Sequence, residues 1–249
     1  MTRLFFAGPL SAHATIRLDA DTSHHALRVL RLTRGDAIEL FNGDGLRYPA
    51  QLLDTDARAA SVQVGTPIAA HTESPLTLCL AQALPSGDKM DWVVEKAIEL
   101  GVHAIQPLLS TRSILRLDAS RGEKRLAHWR RIAIAACMQC GRDRVPEITA
   151  PLDINRWLLA RRDHARQTGD TAPVGFVLSP RGSTTLATLG PPATAAWILV
   201  GPEAGLSEPE ESLAIECGWQ PLRLGPRILR TETAGLAMLA ALQARFGDL

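Results

Sequence analysis

From Leu76 onward the chain alternates uninterrupted apolar runs with amphipathic ones, and this alternation constrains the fold more than any other feature. Leu76–Leu84, Ala104–Leu109, Val174–Ser179 and Ala195–Val200 are apolar runs of strand length. Between the first two, Asp88–Leu100 places Val93, Val94, Ala97, Ile98 and Leu100 at helical spacing and stops at Gly101. Arg121–Gln139 reads as a long helix ended by Gly141, Leu222–Leu224 as a short strand and Thr231–Phe246 as the last helix. Ser207 predicts a further helix start, with Glu210 three residues on completing a capping box. Strands apolar along their whole length are covered on both faces, so the pattern demands a parallel sheet with helices on either side. The last helix is apolar nearly all round over Ala234–Leu242 and must be covered on several sides, within the fold or at a subunit interface.

The first seventy residues follow a different grammar. Arg3–Ala7, Ala14–Leu18, Asp36–Phe41, Leu46–Leu53 and Arg58–Val64 are strand candidates, and Asn42-Gly43-Asp44-Gly45 is a strong hairpin turn. One helix interrupts them at Thr22–Leu30, with an N-cap expected at Asp21, Thr22 or Ser23. Many short strands with one helix predict a small closed or partly closed β-barrel. Ala69–Pro75 reads as a linker, which divides the chain into a β domain over 1–70 and an α/β domain over 71–249.

Net charge is only +1, so the overall balance does not decide for or against a polyanion partner. The 27 basic residues comprise three lysines and otherwise arginine, whose planar fork matches phosphate geometry, although a GC-rich coding bias produces the same composition. Their distribution says more. Arg112, Arg116, Arg121, Lys124, Arg125, Arg130, Arg131, Arg142 and Arg144 face only Asp118, Glu123 and Asp143 over one stretch, and Arg28, Arg31 and Arg34 form a second cluster. Such local density reads as a patch for an anionic partner.

The four cysteines form no disulfide framework, which fits a reducing compartment. Cys137 and Cys140 lack a second pair and read as small buried thiols, while His24 and His25 point to different sides of a helix with no third strong ligand. No metal site is therefore expected. Trp92, Trp129, Trp157, Trp197 and Trp219 are expected to be packing residues. The opening MTRLFFAGPL is too short and broken for a signal peptide, and no run approaches the ~20 apolar residues of a membrane span. A cytoplasmic protein is expected.

Two loops follow buried strands: Gly201-Pro202-Glu203-Ala204-Gly205, and Leu224-Gly225-Pro226-Arg227-Ile228-Leu229-Arg230-Thr231-Glu232-Thr233. Ligands of open α/β sheets sit at the carboxyl ends of strands, and glycine lets the backbone approach them. No GxGxxG and no GxxxxGK[ST] occurs, which argues against a Rossmann-type methyltransferase, a hydride-transfer enzyme and a P-loop NTPase. Taken alone, glycine loops after strands are structural turns more often than ligand sites.

Five blocks in order resemble one family. They are His24–Arg34 with its hairpin, Leu84–Gly101 (LPSGDKMDWVVEKAIELG), Ile134–Glu147 (IAACMQCGRDRVPE), Ile198–Glu210 (ILVGPEAGLSEPE) and Leu222–Thr233 (LRLGPRILRTET). Over nearly its whole length the chain resembles the 16S ribosomal RNA uridine-N3 methyltransferases of the SPOUT class. The resemblance implies an N-terminal PUA-like β-barrel for RNA docking and a C-terminal α/β domain with a deep trefoil knot, in a homodimer. It also implies methylation of a uridine N3 in 16S ribosomal RNA, within the small subunit, by S-adenosylmethionine.

By the same resemblance, the cofactor contacts fall on Leu178, Ser179, Gly201, Glu203, Gly205, Leu224, Gly225, Ile228 and Leu229. Glu232 is either the base that takes the N3 proton or a first-turn acid complementing the helix dipole. Arg230 either stabilises a uridine anion or forms a buried salt bridge. RNA contacts are expected at Arg142, Arg144, Arg28, Arg31 and Arg3. Two departures stand out: Ala204 where the family carries glycine, costly if φ is positive there, and Asp143 where it carries asparagine, which adds a negative charge near the RNA. Another SPOUT RNA methyltransferase, or a non-catalytic RNA-binding assembly factor, remain as alternatives.

Overall fold

The computed structural model describes residues 1–114, 118–168, 174–192 and 195–249. Arg116, one of the basic residues counted above, lies outside them. The chain forms two compact units, 1–73 with 134–145, and 74–133 with 146–249.

The first unit contains β1 (Thr2–Phe5), β2 (Thr15–Arg17), α1 (Ala20–His24), β3 (Ala37–Phe41), β4 (Leu46–Leu52), β5 (Ser61–Val64) and β6 (Ile68–Ala69). Its sheet runs β1-β3-β4-β5-β2, with β6 also on β4, and only the β1–β3 pair is parallel. The period-two pattern buries Ile38, Leu40, Ala50, Leu52, Val62 and Val64 in one apolar cluster, with Leu4 and Leu18. Ala69, expected to open the linker, pairs with Leu46 and extends the sheet instead. Residue Asp19, rather than Asp21, Thr22 or Ser23, caps α1: its carboxylate accepts from the Thr22 amide at 2.8 Å. The helix therefore starts earlier than expected, and its continuation over His25–Val29 is a turn of π-helix.

Within the same unit, Asp143 is wholly buried and lies 2.9 Å from Arg3 and 3.0 Å from Arg47. Arg3 also pairs with Glu39, and Arg142 with Glu73 at 2.6 Å. The charge that Asp143 introduces is thus neutralised inside the unit and is not offered to a ligand. A carboxylate acquires two guanidinium partners where an asparagine could supply only a weaker neutral acceptor.

The second unit is built on β7 (Thr77–Ala83), α2 (Lys89–Glu99), β8 (Ala104–Leu109), α3 (Ala119–Cys140, its last turns in the first unit), β9 (Glu147–Ile148), β10 (Leu152–Asp153), α4 (Ile154–Thr168), β11 (Val174–Leu178), β12 (Thr184–Thr185), β13 (Ala195–Val200), α5 (Glu208–Glu216), β14 (Gln220–Arg223) and α6 (Thr231–Phe246). The strands form one sheet in the order β10-β8-β7-β13-β11-β14-β12, with β9 on β8, and every pair is parallel, as the apolar runs require. Leu78, Leu80, Ile105, Ile198 and Leu199 are fully buried. α6 packs on α2, β7 and β13, burying Gly235, Met238, Leu239 and Leu242 and leaving Leu236, Ala237 and Ala240 half-buried. Trp129, Trp157 and Trp219 are buried and Trp197 half-buried, but Trp92 is 53% exposed and is not a packing residue.

Replacing Asp143 with alanine takes one carboxylate partner from each of Arg3 and Arg47, which keep only Glu39. The loss of these charge-assisted hydrogen bonds at a buried position costs about 1–3 kcal/mol, which a urea titration followed by tryptophan fluorescence and far-ultraviolet dichroism would register as a lowered midpoint.

Candidate active site

Strands β13, β11 and β14 lie side by side and parallel, so their carboxyl ends stop at one edge of the sheet. Three turns leave there: Leu178-Ser179, Gly201–Gly205 and Leu224–Arg230. They enclose one cavity of about 660 Å³. Leu178, Ser179, Gly201, Glu203, Gly205, Leu224, Gly225, Ile228, Leu229, Arg230 and Glu232 all line it, so one space collects every residue expected at the cofactor and catalytic positions.

Side chains from elsewhere hold these turns together. Thr231, at the first turn of α6, donates its hydroxyl to the Gly201 carbonyl at 2.6 Å and accepts from Gln82 Nε2 at 2.9 Å. This chain of bonds ties the last loop to the turn after β13 through the buried centre of the sheet. Arg112 donates to the carbonyls of Ala204 and Leu206, each at 3.0 Å. The Glu210 carboxylate accepts from the Thr111 amide, the Ser110 hydroxyl, and both the amide and hydroxyl of Ser207. Burial pushes the Glu210 carboxyl upward, but these donors outweigh it and hold it below its ordinary value. Gly225 adopts φ +111 with open space where a Cβ would stand. Ala204 is not in the left-handed region, which Gly205 occupies at φ +70, so the alanine carries no strain.

At one end of the cavity four charges meet. Glu203 accepts from the Ser86 amide at 2.9 Å, the Ser86 hydroxyl at 2.6 Å and Lys89 Nζ at 2.8 Å. Burial raises its carboxyl, yet Lys89 and Ser86 prevail and bring it to about 2. Lys89 also stands 3.9 Å from Glu232 Oε2, and Arg230 stands 4.0 Å from Glu232 Oε1. Glu232 Oε2 is buried without a hydrogen-bond partner. A carboxylate oxygen in that state is a poised acceptor, because an unpaired buried acceptor gains the full value of any donor brought to it. Arg230 is not a buried salt-bridge residue: its side chain is 83% exposed.

A family profile described as "RNA methyltransferase domain" matches residues 72–243, and one described as "RNA methyltransferase PUA domain" matches 18–65. The ribosomal RNA small subunit methyltransferase E of Buchnera aphidicola is 30% identical over 99% of this chain and 94% of its own length. That of Bacillus subtilis is 31% identical, covering 92% and 89%. A Neisseria gonorrhoeae ribosomal RNA small subunit methyltransferase E, solved bound to S-adenosyl methionine, superimposes with a TM-score of 0.89 at 36% identity over 100% of this chain and 99% of that one. The chain belongs to the ribosomal RNA small subunit methyltransferase E family.

Within this member of the methyltransferase E family, the basic residues expected to meet RNA divide into two kinds. Arg28, Arg31 and Arg144 are exposed. Arg142 is buried and Arg3 partly buried, and both are engaged in the ion pairs described above, with Arg3 also donating to the Arg142 carbonyl. Sequence reasoning had no means of separating them, because the partners Glu39, Glu73 and Asp143 are distant in sequence. It also missed Lys89 and Arg112 as residues lining the cavity and Gln82 as a support for it. Lys89 lies inside the LPSGDKMDWVVEKAIELG block, which was the available signal, but nothing in that block says which side chain faces the loops.

Because the folded carboxyl of Glu210 titrates below its unfolded value, its contribution is complete above the ordinary carboxylate range and is lost as pH falls through the lowered value. Amide exchange at Thr111 and Ser207 should be slow near neutrality and lose protection only as pH falls below the ordinary carboxylate range. In Glu210→Ala the protection should be absent at every pH, with a stability loss of about 1–3 kcal/mol.

Proposed function

We propose that the cavity binds S-adenosylmethionine and that the protein methylates N3 of a uridine in 16S ribosomal RNA. The observation that carries this reading is a cavity of ligand size, formed where three strand-end turns converge and bordered by a buried carboxylate oxygen without a partner. The turns fit the cofactor: Gly201, Leu224 and Gly225 present backbone polar groups to an adenosine, and Leu178, Ile228 and Leu229 flank it with apolar side chains. Ile228 is 84% exposed in this protein, an apolar side chain on the cavity wall awaiting a partner. When bound, S-adenosylmethionine supplies the methyl group, carried on a positively charged sulfur.

The protein's own task is to present the nucleophile. Uridine N3 carries a proton near neutral pH, and Glu232 is the acceptor for it, through Oε2. Arg230 stabilises the negative charge that develops on the base as the proton leaves. Proximity does the rest, since both reactants are held at one site.

The N-terminal unit docks the RNA. β1 and β2, at opposite ends of its sheet, contribute Leu4 and Ile16 to one cluster, which supports a sheet curled into a PUA-like barrel over residues 1–70. Arg28, Arg31 and Arg144 supply its phosphate contacts. Arg3 and Arg142 act by holding that unit together. Arg31 adopts φ +58, a left-handed backbone that costs a non-glycine residue about 1 kcal/mol, and a strained residue retained on an exposed turn fits a ligand contact. The 71–249 domain is a SPOUT domain whose last turns close a trefoil knot, which the strand order β7-β13-β11-β14 and the lodging of α6 against β7 and β13 support. The half-buried residues Leu236, Ala237 and Ala240 of α6 supply the homodimer contact. The protein acts in the cytoplasm; among the described residues no helix is long and apolar enough to cross a membrane.

Purified protein should transfer labelled methyl to small-subunit RNA, with the product located at uridine N3 by nuclease digestion and mass spectrometry. Binding of RNA without transfer would instead leave an assembly factor. Glu232→Gln should lower kcat by at least about a hundredfold while calorimetric affinity for S-adenosylmethionine stays near wild type; full activity in that variant removes Glu232 as base. Arg31→Gly should raise the urea midpoint slightly and yet weaken RNA binding and flatten its salt dependence by about one unit of slope.

A further inference from the structure

Lys89 takes no part in the chemistry above, yet it is fixed in the cavity by a charge-assisted hydrogen bond to Glu203. It opens α2, within the sequence block Leu84–Gly101 that no function has absorbed. One of its three N–H groups is committed to Glu203 at 2.8 Å, and Glu203 is in turn held by both donors of Ser86. At 3.9 Å from Glu232 Oε2 it is close enough to feel that carboxylate but too distant to hydrogen-bond it. Arg230 stands in the same relation to the other oxygen, at 4.0 Å. Glu232 is therefore flanked on each side by a cation that does not satisfy it.

The resulting order of groups is donor, acceptor, donor: Lys89 N–H, Glu232 carboxylate, Arg230 N–H. Uracil presents the complementary order along its pairing edge, with a carbonyl oxygen, N3–H and a second carbonyl oxygen. Cytosine presents an amino group in place of one carbonyl and a bare lone pair at N3, which would set a donor against a cation and a lone pair against a carboxylate. We infer that Lys89, Glu232 and Arg230 together read the uracil edge, with Lys89 the specificity-determining residue for one of the two carbonyl oxygens. The inference rests on the reading that Glu232 takes the N3 proton. It adds that the two cations both select the base and receive the charge its deprotonation spreads. When the N3–H bond breaks, the proton passes to Glu232 Oε2 and the electron pair is shared between N3 and the two carbonyl oxygens. An ammonium on one and a guanidinium on the other then strengthen as that charge grows. A cytosine edge sets its N3 lone pair against the buried Glu232 Oε2 and its amino group against a cation, a mismatch that discriminates between bases.

The test uses the full-length protein and small-subunit RNA ligated to carry uridine, 4-thiouridine, 2-thiouridine or cytidine at the methylated position. Sulfur is a weak acceptor, so wild-type protein should lose about tenfold in kcat/KM with either thio substitution and show no transfer to cytidine. In Lys89→Met the effect of sulfur at one position should vanish while the other persists; in Arg230→Met the pattern should reverse. Lys89→Arg should restore the lost sulfur effect, which a merely structural role for Lys89 would not require. Retention of both sulfur effects in Lys89→Met, or the absence of either in wild-type protein, overturns the inference. Should Lys89→Met not fold, the single sulfur effect surviving in Arg230→Met is the readout, and its absence overturns the inference equally. Full activity of Glu232→Gln with both sulfur effects intact would remove the base and leave the two carbonyl contacts standing, so the two failures are distinguishable.

Discussion

Strands β11, β13 and β14 are neighbours in one parallel sheet, and parallel strands can end only at the same edge. Everything at the cavity follows from that. Turns spread over some fifty residues of chain, from Leu178 to Arg230, leave the sheet side by side, and none of them would enclose a space alone. The bond from Thr231 to the Gly201 carbonyl, relayed to Gln82, then converts adjacency into a fixed relation between the last loop and the turn after β13. Glu210 and Arg112 do the same from the opposite side of that turn. The cavity is a product of sheet geometry first and of these few polar ties second.

The two units treat charge in opposite ways. In the first, Asp143 is closed off between Arg3 and Arg47, and the side chains that carry the charges are largely withdrawn from solvent. Its purpose is to bind the segment after α3 into the β unit, and an ion pair so satisfied has little left to offer a ligand. At the cavity, Glu232 is left with an oxygen unpaired and two cations just beyond hydrogen-bonding distance. Such an arrangement costs the resting protein stability and becomes favourable only when a third party with the right donors and acceptors enters. The same residue types satisfy one another in one unit and are left unsatisfied in the other, distinguished by whether their partners are already in place.

Legibility along the sequence tracked how local each signal was. The helix at Thr231–Phe246, the strands Ala104–Leu109 and Ala195–Val200, and the Ser207–Glu210 capping box emerge as read, because periodicity and capping depend on residues a few positions apart. α4 was not read at all. Its segment is rich in arginine, and its fully buried apolar residues, Ile154 and Leu158, are too few to mark a long stripe. The start of α1 was misplaced because Asp21, Thr22 and Ser23 are all capping residue types in a row, and only the surrounding fold selects Asp19. The exposure of Trp92 was equally invisible, since a tryptophan on an amphipathic helix reads as core by default.

The residue order by itself determined that the C-terminal part is a parallel sheet covered by helices, that its ligand loops follow two particular strands, and, through motif resemblance, which family those loops belong to. It determined these because hydrophobic period and glycine placement act over one or two turns of chain. Only the tertiary structure decided that Lys89 and Glu203 share an end of the cavity with Glu232, that Arg3 and Arg142 are taken up in ion pairs, and that Asp143 is neutralised. Those outcomes depend on charges brought together across tens to more than a hundred residues, and the pairing of distant charges is set by how the sheet and its neighbouring elements pack, not by any pattern the chain carries locally.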